Sequence, residues 1–370
     1  MSADGTGPVG VAVVGCGTIS DQYLTNLAAF PDVDVVAVSD LDLDRARRSA
    51  DTYQVPVVGD TDTVVSHPDV ELVVNLTIPA AHTEVAAKAV AAGRHVYSEK
   101  PLALERDAGA ALLADATAAG LRVGNAPDTF LGAGLQTAYR LIADGAIGTP
   151  LTALTLFQVA GPESWHPNPA FLYQYGAGPL FDLGPYYLTA LVAAFGPASR
   201  VAAVARQART TRTVGSGPLA GTDFPVEVPT HVSALIEFAG GQAATSVLSF
   251  DSPAPRAGFL EITGTEATIA LPDPNNFDGD IRLRKATDAD WTVVPAQGPT
   301  AGRGLGVLDM ARALRTNSPH RASGHLALHV LDIMSAITES AGSASFTTLT
   351  TTTTTPPPLP TNFDPRAATL

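Results

Sequence analysis

The chain has 370 residues, 45% of them apolar and 16% charged, with a net charge of −14. That length suffices for two domains of ordinary size, and the acidic balance argues against nucleic acid as a partner. The single cysteine, Cys16, excludes an intrachain disulfide framework and fits a reducing compartment, and the absence of any run of about 18 apolar residues leaves nothing to span a membrane.

The polar stretch 1–8 lacks a charged-then-apolar signal pattern, so the expected location is the cytoplasm. A β-branched run at 9–14 then gives way to Gly15-Cys16-Gly17, and Ile19, Tyr23 and Leu27 follow at helical spacing. This is a buried strand, a tight turn and a helix N-terminus. The first glycine permits the turn. The second lets a pyrophosphate approach the backbone, where N–H groups at Gly17, Thr18 and Ile19 and the helix dipole attract negative charge. Ser20 stands where the third glycine usually falls.

A second strand, 33–38, ends in Ser39-Asp40, 23 positions beyond Gly17. A dinucleotide-binding acid is expected about 20 positions on. Asp40 would accept both hydroxyls of an adenosine ribose and repel a 2′-phosphate. No Lys or Arg occurs before Arg45, so NAD is expected over NADP. Further along, 43–53 reads as a helix, 55–58 as a brief strand, and 71–76 as a strand running into Asn75-Leu76-Thr77-Ile78-Pro79. An Ala-rich helix at 82–92 stops at Gly93, a strand at 95–98 enters Glu99-Lys100-Pro101, a helix at 107–119 stops at Gly120, and a strand follows at 121–124. The alternation predicts a doubly wound parallel-sheet domain over 1–125.

Beyond it the rhythm changes. Helices are expected at 135–143 and 181–195 and a strand at 151–159. Short β-rich stretches recur from 201 to 294, separated by Gly240-Gly241, Gly264 and Pro272. Helices at 304–315 and 323–341 close a second domain, 126–345, built on an antiparallel or mixed sheet. The tail, 346–370, is a Thr run followed by three prolines; its composition builds no core and predicts an extended or disordered segment.

Three constellations carry chemistry. Lys100 sits at the carboxyl end of a parallel strand, the edge where ligands bind; a cis Pro101 would aim it into the cleft, and the plain alternative is an exposed loop lysine. Asp182 and Tyr186, four apart after the Gly176-Ala177-Gly178 turn, share a helical face. Taken alone, that pair is an N-terminal-turn acid favoured by the helix dipole and a core tyrosine. Trp165 and His166 suit a sugar, one for ring C–H groups and one for hydroxyls, or equally a loop packed on the core. His325 and His329 are four apart with no Glu or Cys to complete a metal site and are expected at the surface or an interface.

Jointly, Gly15-Cys16-Gly17, the 75–82 segment, Ala92-Gly93-Arg94-His95-Val96 leading into Glu99-Lys100-Pro101, and the Gly176-to-Tyr186 stretch resemble the Gfo/Idh/MocA oxidoreductases over roughly residues 9–341. The resemblance implies an α/β chain: an N-terminal Rossmann doubly wound parallel sheet, then a C-terminal α+β domain with an open, largely antiparallel sheet. It implies NAD(P)-dependent hydride transfer on a sugar, sugar derivative or cyclitol, and self-association to a dimer or tetramer through the open sheet. It places Thr77, Pro79, His82, Glu99 and Lys100 with the cofactor, and Lys100, Asp128, Trp165, His166, Asp182 and Tyr186 with the substrate. Lys100, Asp182 and Tyr186 are the implied catalytic residues, and no metal is implied. Many members carry His where this chain has Tyr186, which is therefore the implied proton donor or acceptor. A free tyrosine titrates near ~10, and a neighbouring lysine charge would lower it. Two other readings remain open: a ketosugar reductase of a biosynthetic pathway, and a non-catalytic dinucleotide-binding sensor on the same fold.

Overall fold

The computed structural model describes residues 5–298 and 301–370; the start of the polar 1–8 stretch lies outside the described residues. The chain forms two compact units. The first comprises Met1–Gly132, Gly298–Leu328 and Leu359–Leu370, and the second Ala133–Gln297 and His329–Pro358. The chain thus returns to its first unit twice, where contiguous domains at 1–125 and 126–345 were expected. The reason is side-chain pairing that sequence spacing does not reveal: within the first unit, Arg315 grips Glu71 at 2.6 Å and Arg312 grips Asp32 at 2.7 Å.

The first unit is a six-stranded sheet, with β1 (Val9–Val14), β2 (Val33–Ser39), β3 (Val57–Gly59), β4 (Leu72–Asn75), β5 (His95–Ser98) and β6 (Val123–Asn125) in the order β3-β2-β1-β4-β5-β6. Every pairing is parallel. All six residues of β1 are buried, as an inner parallel strand covered on both faces requires. Covering helices are α1 (Ser20–Leu27), α2 (Leu43–Tyr53), α3 (Thr61–Ser66), α4 (His82–Ala91) and α5 (Arg106–Ala118). Asp42 caps α2 through the Asp44 and Arg45 amides, and Asp60 caps the short α3, which the apolar pattern did not reveal. Strand order reverses at β1, so a crevice opens beyond the carboxyl ends of β1 and β4.

In the second unit, α6 (Ala133–Ala143) leads to β7 (Pro150–Gln158), α7 (Gly178–Phe195) and β8 (Ala198–Arg206). A two-stranded ribbon, β9 (Thr211–Thr213) with β10 (Asp223–Pro225), precedes β11 (His231–Phe238), β12 (Ala243–Ser249), β13 (Arg256–Gly264), β14 (Ala267–Leu271), β15 (Ile281–Lys285) and β16 (Thr292–Val294). With β17 (Thr347–Thr348) these make a nine-stranded sheet ordered β16-β15-β14-β13-β7-β12-β11-β8-β17. Only the β7–β12 pair is parallel. On β11 the buried residues Val232, Ala234, Ile236 and Phe238 alternate with residues of the other face. Helix α7 lies on the buried face, and a Cβ at Gly184 would stand 3.4 Å from Met334 Sδ. Helices α8 (Leu305–Thr316) and α9 (Gly324–Ser343) complete the set, and no helix among the described residues is long and apolar enough to cross a membrane.

The tail corrects the expectation of disorder. It is extended but fixed by groups elsewhere in the chain. β17 pairs with β8, and the buried Asp332 Oδ2 accepts from the backbone and hydroxyl of both Thr350 and Thr351. In the first unit, Arg312 donates to the carbonyls of Asp364 and Ala367, and Asp32 accepts from Thr369 N at 2.8 Å. A run without a core of its own is thus ordered by polar anchors. His329 is a second correction: instead of facing solvent it is buried, accepting at Nε2 from Ala198 N (2.9 Å) and meeting Thr351 Oγ1 at Nδ1 (3.0 Å).

Candidate active site

In the first unit the site starts at the end of β1. Gly15 has φ 100°, and a Cβ there would sit 2.7 Å from the backbone carbonyl of Leu76, so only glycine closes this turn. Gly17 is different: a Cβ there would meet nothing within 4 Å, which leaves its backbone open to a ligand. Helix α1 begins immediately after, with no side-chain cap at Ile19. Its first-turn amides and dipole suit a pyrophosphate. Thr18 is exposed beside them. Ser20 fits in place of the third glycine because its Oγ donates to Gly17 O at 2.6 Å.

Asp40 stands at the end of β2. Its Oδ2 accepts from Cys16 N (2.8 Å) and its Oδ1 from Asp42 N (2.8 Å), so two amides fix the carboxylate at the end of β2. Arg45 lies 3.6 Å from Asp40 and 3.8 Å from Asp42, one guanidinium against two carboxylates. The local charge remains negative, which suits ribose hydroxyls and disfavours a 2′-phosphate. These groups fit a bound NAD.

Next come the loops after β4 and β5. Thr77 Oγ1 donates to Asn75 Oδ1 (2.6 Å), Asn75 Nδ2 donates to His82 O (3.0 Å), and Pro79 opens a short 3₁₀ turn into α4. The Lys100–Pro101 peptide is cis, and Lys100 is half-buried. Glu99, expected beside the cofactor, instead turns inward: Oε1 accepts from Tyr23 Oη (2.6 Å) and Oε2 from Lys100 N (3.0 Å). Burial and the Glu99 charge push the Tyr23 phenol well above its ordinary value, so it remains a donor. Asn125, at the end of β6, donates to the carbonyls of Ser98 and Glu99 at 2.9 and 3.0 Å. Asn75, Asn125 and Tyr23 brace the lysine-bearing loop and escaped the sequence reading. The available signal was a polar residue closing an apolar strand, at Asn75 and again at Asn125.

Two further expectations fail here. Asp128 was expected at the substrate, but it is fully buried and accepts at Oδ2 from Gly304 N (2.9 Å) and Gly306 N (3.0 Å), holding the start of α8. Burial pushes its carboxyl up to about 6. His82 was expected at the cofactor but is 1% exposed, with Nδ1 2.7 Å from Pro101 O and Nε2 3.0 Å from Thr77 O. Both residues act on backbone.

In the second unit, Asp182 and Tyr186 lie on α7 one turn apart, Asp182 half-buried and Tyr186 buried. The helix starts at Gly178, whose φ is 75° and whose Cβ would be 3.0 Å from Pro229 O. Tyr187, the next residue, is structural: its Oη accepts from Gly258 N at 2.9 Å. The Gly161-to-Tyr175 loop carries Trp165, 68% exposed, with its ring 5.5 Å from that of His166, which in turn lies 5.4 Å from Phe171. Beneath it lies a cluster that no sequence signal revealed. Arg212 is buried and bonded to Glu163, Asp251 and the carbonyls of Ala160 (3.1 Å) and Phe250 (3.0 Å). The guanidinium also covers the Tyr173 ring at 5.1 Å, and the Tyr173 hydroxyl donates to Glu163. Among the described residues no group of His, Cys, Asp and Glu is placed to hold a metal.

A parallel sheet with an open Gly17 at its switch point, Asp40 at the end of β2 and Lys100 at the end of β5 defines a dinucleotide-binding oxidoreductase. Residues 9–126 match the family described as "Oxidoreductase family, NAD-binding Rossmann fold", and residues 135–270 match its C-terminal domain. The chain belongs to the Gfo/Idh/MocA family and is an NAD-binding oxidoreductase. It is similar to a trans-1,2-dihydrobenzene-1,2-diol dehydrogenase of Bos taurus, with 26% identity over 71% of this chain and 73% of that one. It is also similar to a D-apiose dehydrogenase of Paraburkholderia graminis, with 26% identity over 89% and 87%. Among solved structures, levoglucosan dehydrogenase in complex with NADH and L-sorbose shares the fold, with a TM-score of 0.80 and 21% identity over 93% of this chain and 99% of that one.

Proposed function

We propose that the protein is a cytoplasmic, NAD-dependent dehydrogenase acting on a CH–OH group of a sugar, sugar derivative or cyclitol. The observation that carries this is the half-buried Lys100 at the carboxyl end of β5, in the same unit as the open Gly17 turn and the amide-fixed Asp40. Bound NAD supplies the hydride acceptor. Gly17, Thr18, Ile19 and Asp40 would hold it, with Thr77 and Pro79 flanking. In the first unit the role proposed for Lys100 is to polarise a substrate hydroxyl; in the second, Tyr186 is the proposed proton acceptor and Asp182 the proposed orienting group. Trp165 and His166 offer an aromatic face and a polar edge to the sugar ring. The relatives named for a diol and for D-apiose support a vicinal-diol or sugar substrate. The test is a cofactor titration followed by a polyol and sugar screen, read by nicotinamide absorbance. NAD binding with no turnover of any polyol, sugar or ketosugar would make the protein a sensor rather than an enzyme.

Cofactor choice gives a separate expected result. NAD should bind more tightly than NADP. Asp40→Ala should weaken NAD by about 10- to 100-fold, the weight of one or two charge-assisted hydrogen bonds, and narrow the gap to NADP. Calorimetric Kd values for both cofactors check it; equal affinities in the unaltered protein refute it.

Self-association belongs to the same proposal. The second unit's sheet has a row Ala202–Leu235–Thr245–Leu154 running across four strands, with Leu235 52% and Leu154 38% exposed and Val204 nearby at 55%. An apolar stripe of this extent is what soluble proteins cover with a second copy. A dimer or tetramer is expected by light scattering at micromolar concentration, and Leu235→Lys should shift it towards monomer. A monomeric mass for the unaltered protein would refute it.

A further inference from the structure

Within the first unit, His82 is a deeply buried ionisable side chain next to the lysine loop. It opens α4, is 1% exposed, and has its backbone carbonyl held by Asn75 Nδ2 at 3.0 Å. Its ring stands between two loops: Nδ1 is 2.7 Å from Pro101 O and Nε2 is 3.0 Å from Thr77 O. Neither carbonyl can donate, so each contact calls on a ring N–H. Burial holds the imidazole below its ordinary value, despite the Glu99 charge. The shorter contact, to Pro101 O, is the one we assign to Nδ1–H. Pro101 is the residue immediately after Lys100. Glu99, on the other side, has its own carbonyl held by Asn125 at 3.0 Å. Lys100 is thus bracketed by two anchored peptides, one of them set by His82.

We propose that His82 is a positioning residue for Lys100, holding the Pro101 carbonyl through Nδ1–H and so fixing the direction of the lysine. The inference rests on the reading of Lys100 as the group that polarises the substrate hydroxyl. The role assigned to the ring is structural, since His82 is 1% exposed. A displacement of about 1 Å at a catalytic group is enough to cost on the order of 100-fold in rate, which is why a buried tie to the adjacent peptide matters.

The two carboxamides separate this role from plain packing. His82→Asn keeps an N–H donor where Nδ1 stands. His82→Gln keeps one where Nε2 stands. His82→Leu keeps the bulk and neither donor. The primary measurement is amide hydrogen exchange of the cofactor-free protein over residues 98–103. Exchange should be faster by about 10-fold or more in His82→Leu and His82→Gln, matching the loss of a buried bond, and near that of the unaltered protein in His82→Asn. Should His82→Leu fail to fold, the Asn and Gln pair still decides. Equal exchange in Asn and Gln, or change confined to the first turn of α4, overturns the proposal. The second measurement is kcat on the substrate found by the polyol screen, in the Lys100→Ala background and without it. If His82 acts through Lys100, His82→Gln lowers kcat about 10-fold alone and adds little to Lys100→Ala. Additive losses overturn the proposal. Normal turnover in Lys100→Ala itself would instead overturn the function reading, and the exchange result would stand apart from it.

Discussion

Tyr186→Phe and Lys100→Ala should each lower kcat by about 100-fold or more, the range that positioned acid–base groups contribute. The two differ in what else they change. The role proposed for Tyr186, on α7, is towards the substrate hydroxyl, so Tyr186→Phe should leave the NADH Kd within a few-fold. On the proposed role, the hydroxyl proton leaves through Tyr186 in the oxidative direction. Turnover of the unaltered enzyme should therefore rise with pH, and Tyr186→Phe should flatten the rise. Asp182→Asn keeps the shape of its side chain and removes the charge, so its loss should fall on the substrate KM as well as on kcat. Stopped-flow hydride transfer and direct NADH titration separate these terms. Near-normal turnover with an unchanged pH profile in Tyr186→Phe would make that residue a packing tyrosine, and His166, on the same unit's exposed loop, becomes the next base to test.

Much of this site was legible because parallel sheets write themselves into sequence. The Val-rich run of β1, the Gly15 turn that no other residue can make, and Asp40 at the end of β2 follow from local backbone needs, and each was found where it was expected. Helix ends at Gly93 and Gly120 were legible for the same reason: both glycines have φ near 70°. Residues whose meaning depends on distant partners were not legible. Asp128 looked like a loop acid but accepts from amides 176 and 178 positions away. The threonine tail read as extended or disordered; it is extended, and Asp332 gathers it with four hydrogen bonds. His82 and Glu99 were placed with the cofactor by the family resemblance, whereas their side chains point into the fold and hold the lysine loop from behind. Arg212, flanked by two threonines in a three-residue strand, carried no local sign of its three ring and carboxylate partners.

That last residue carries the largest expected stability effect. Arg212 is buried between two carboxylates, with side-chain exposure of 4% against 15% for Glu163 and 19% for Asp251. Its guanidinium ties the Gly161-to-Tyr175 loop, through Ala160 O and Glu163, to the end of β12, through Phe250 O and Asp251. Arg212→Leu would leave two carboxylates facing each other in a poorly solvated place, and removing one partner of a buried pair costs about 3–5 kcal/mol. For a domain of this size that corresponds to a fall in Tm of roughly 10 °C. Lysine should not rescue it, because one ammonium cannot serve two carboxylates and two carbonyls in the planar fork that arginine supplies. The double change Glu163→Gln with Arg212→Leu should recover part of the loss, since it removes one stranded charge. The effect should also be local to its unit: Gly17 and Asp40 lie in the other one, so NADH affinity should persist while turnover falls as the Trp165 loop loosens. Calorimetric melting alongside NADH titration checks both halves. An unchanged melting profile would show that the cluster is solvated enough to need no arginine, and the loop's order would then have to come from the ring contacts of its Tyr173 with Phe224 and Phe250.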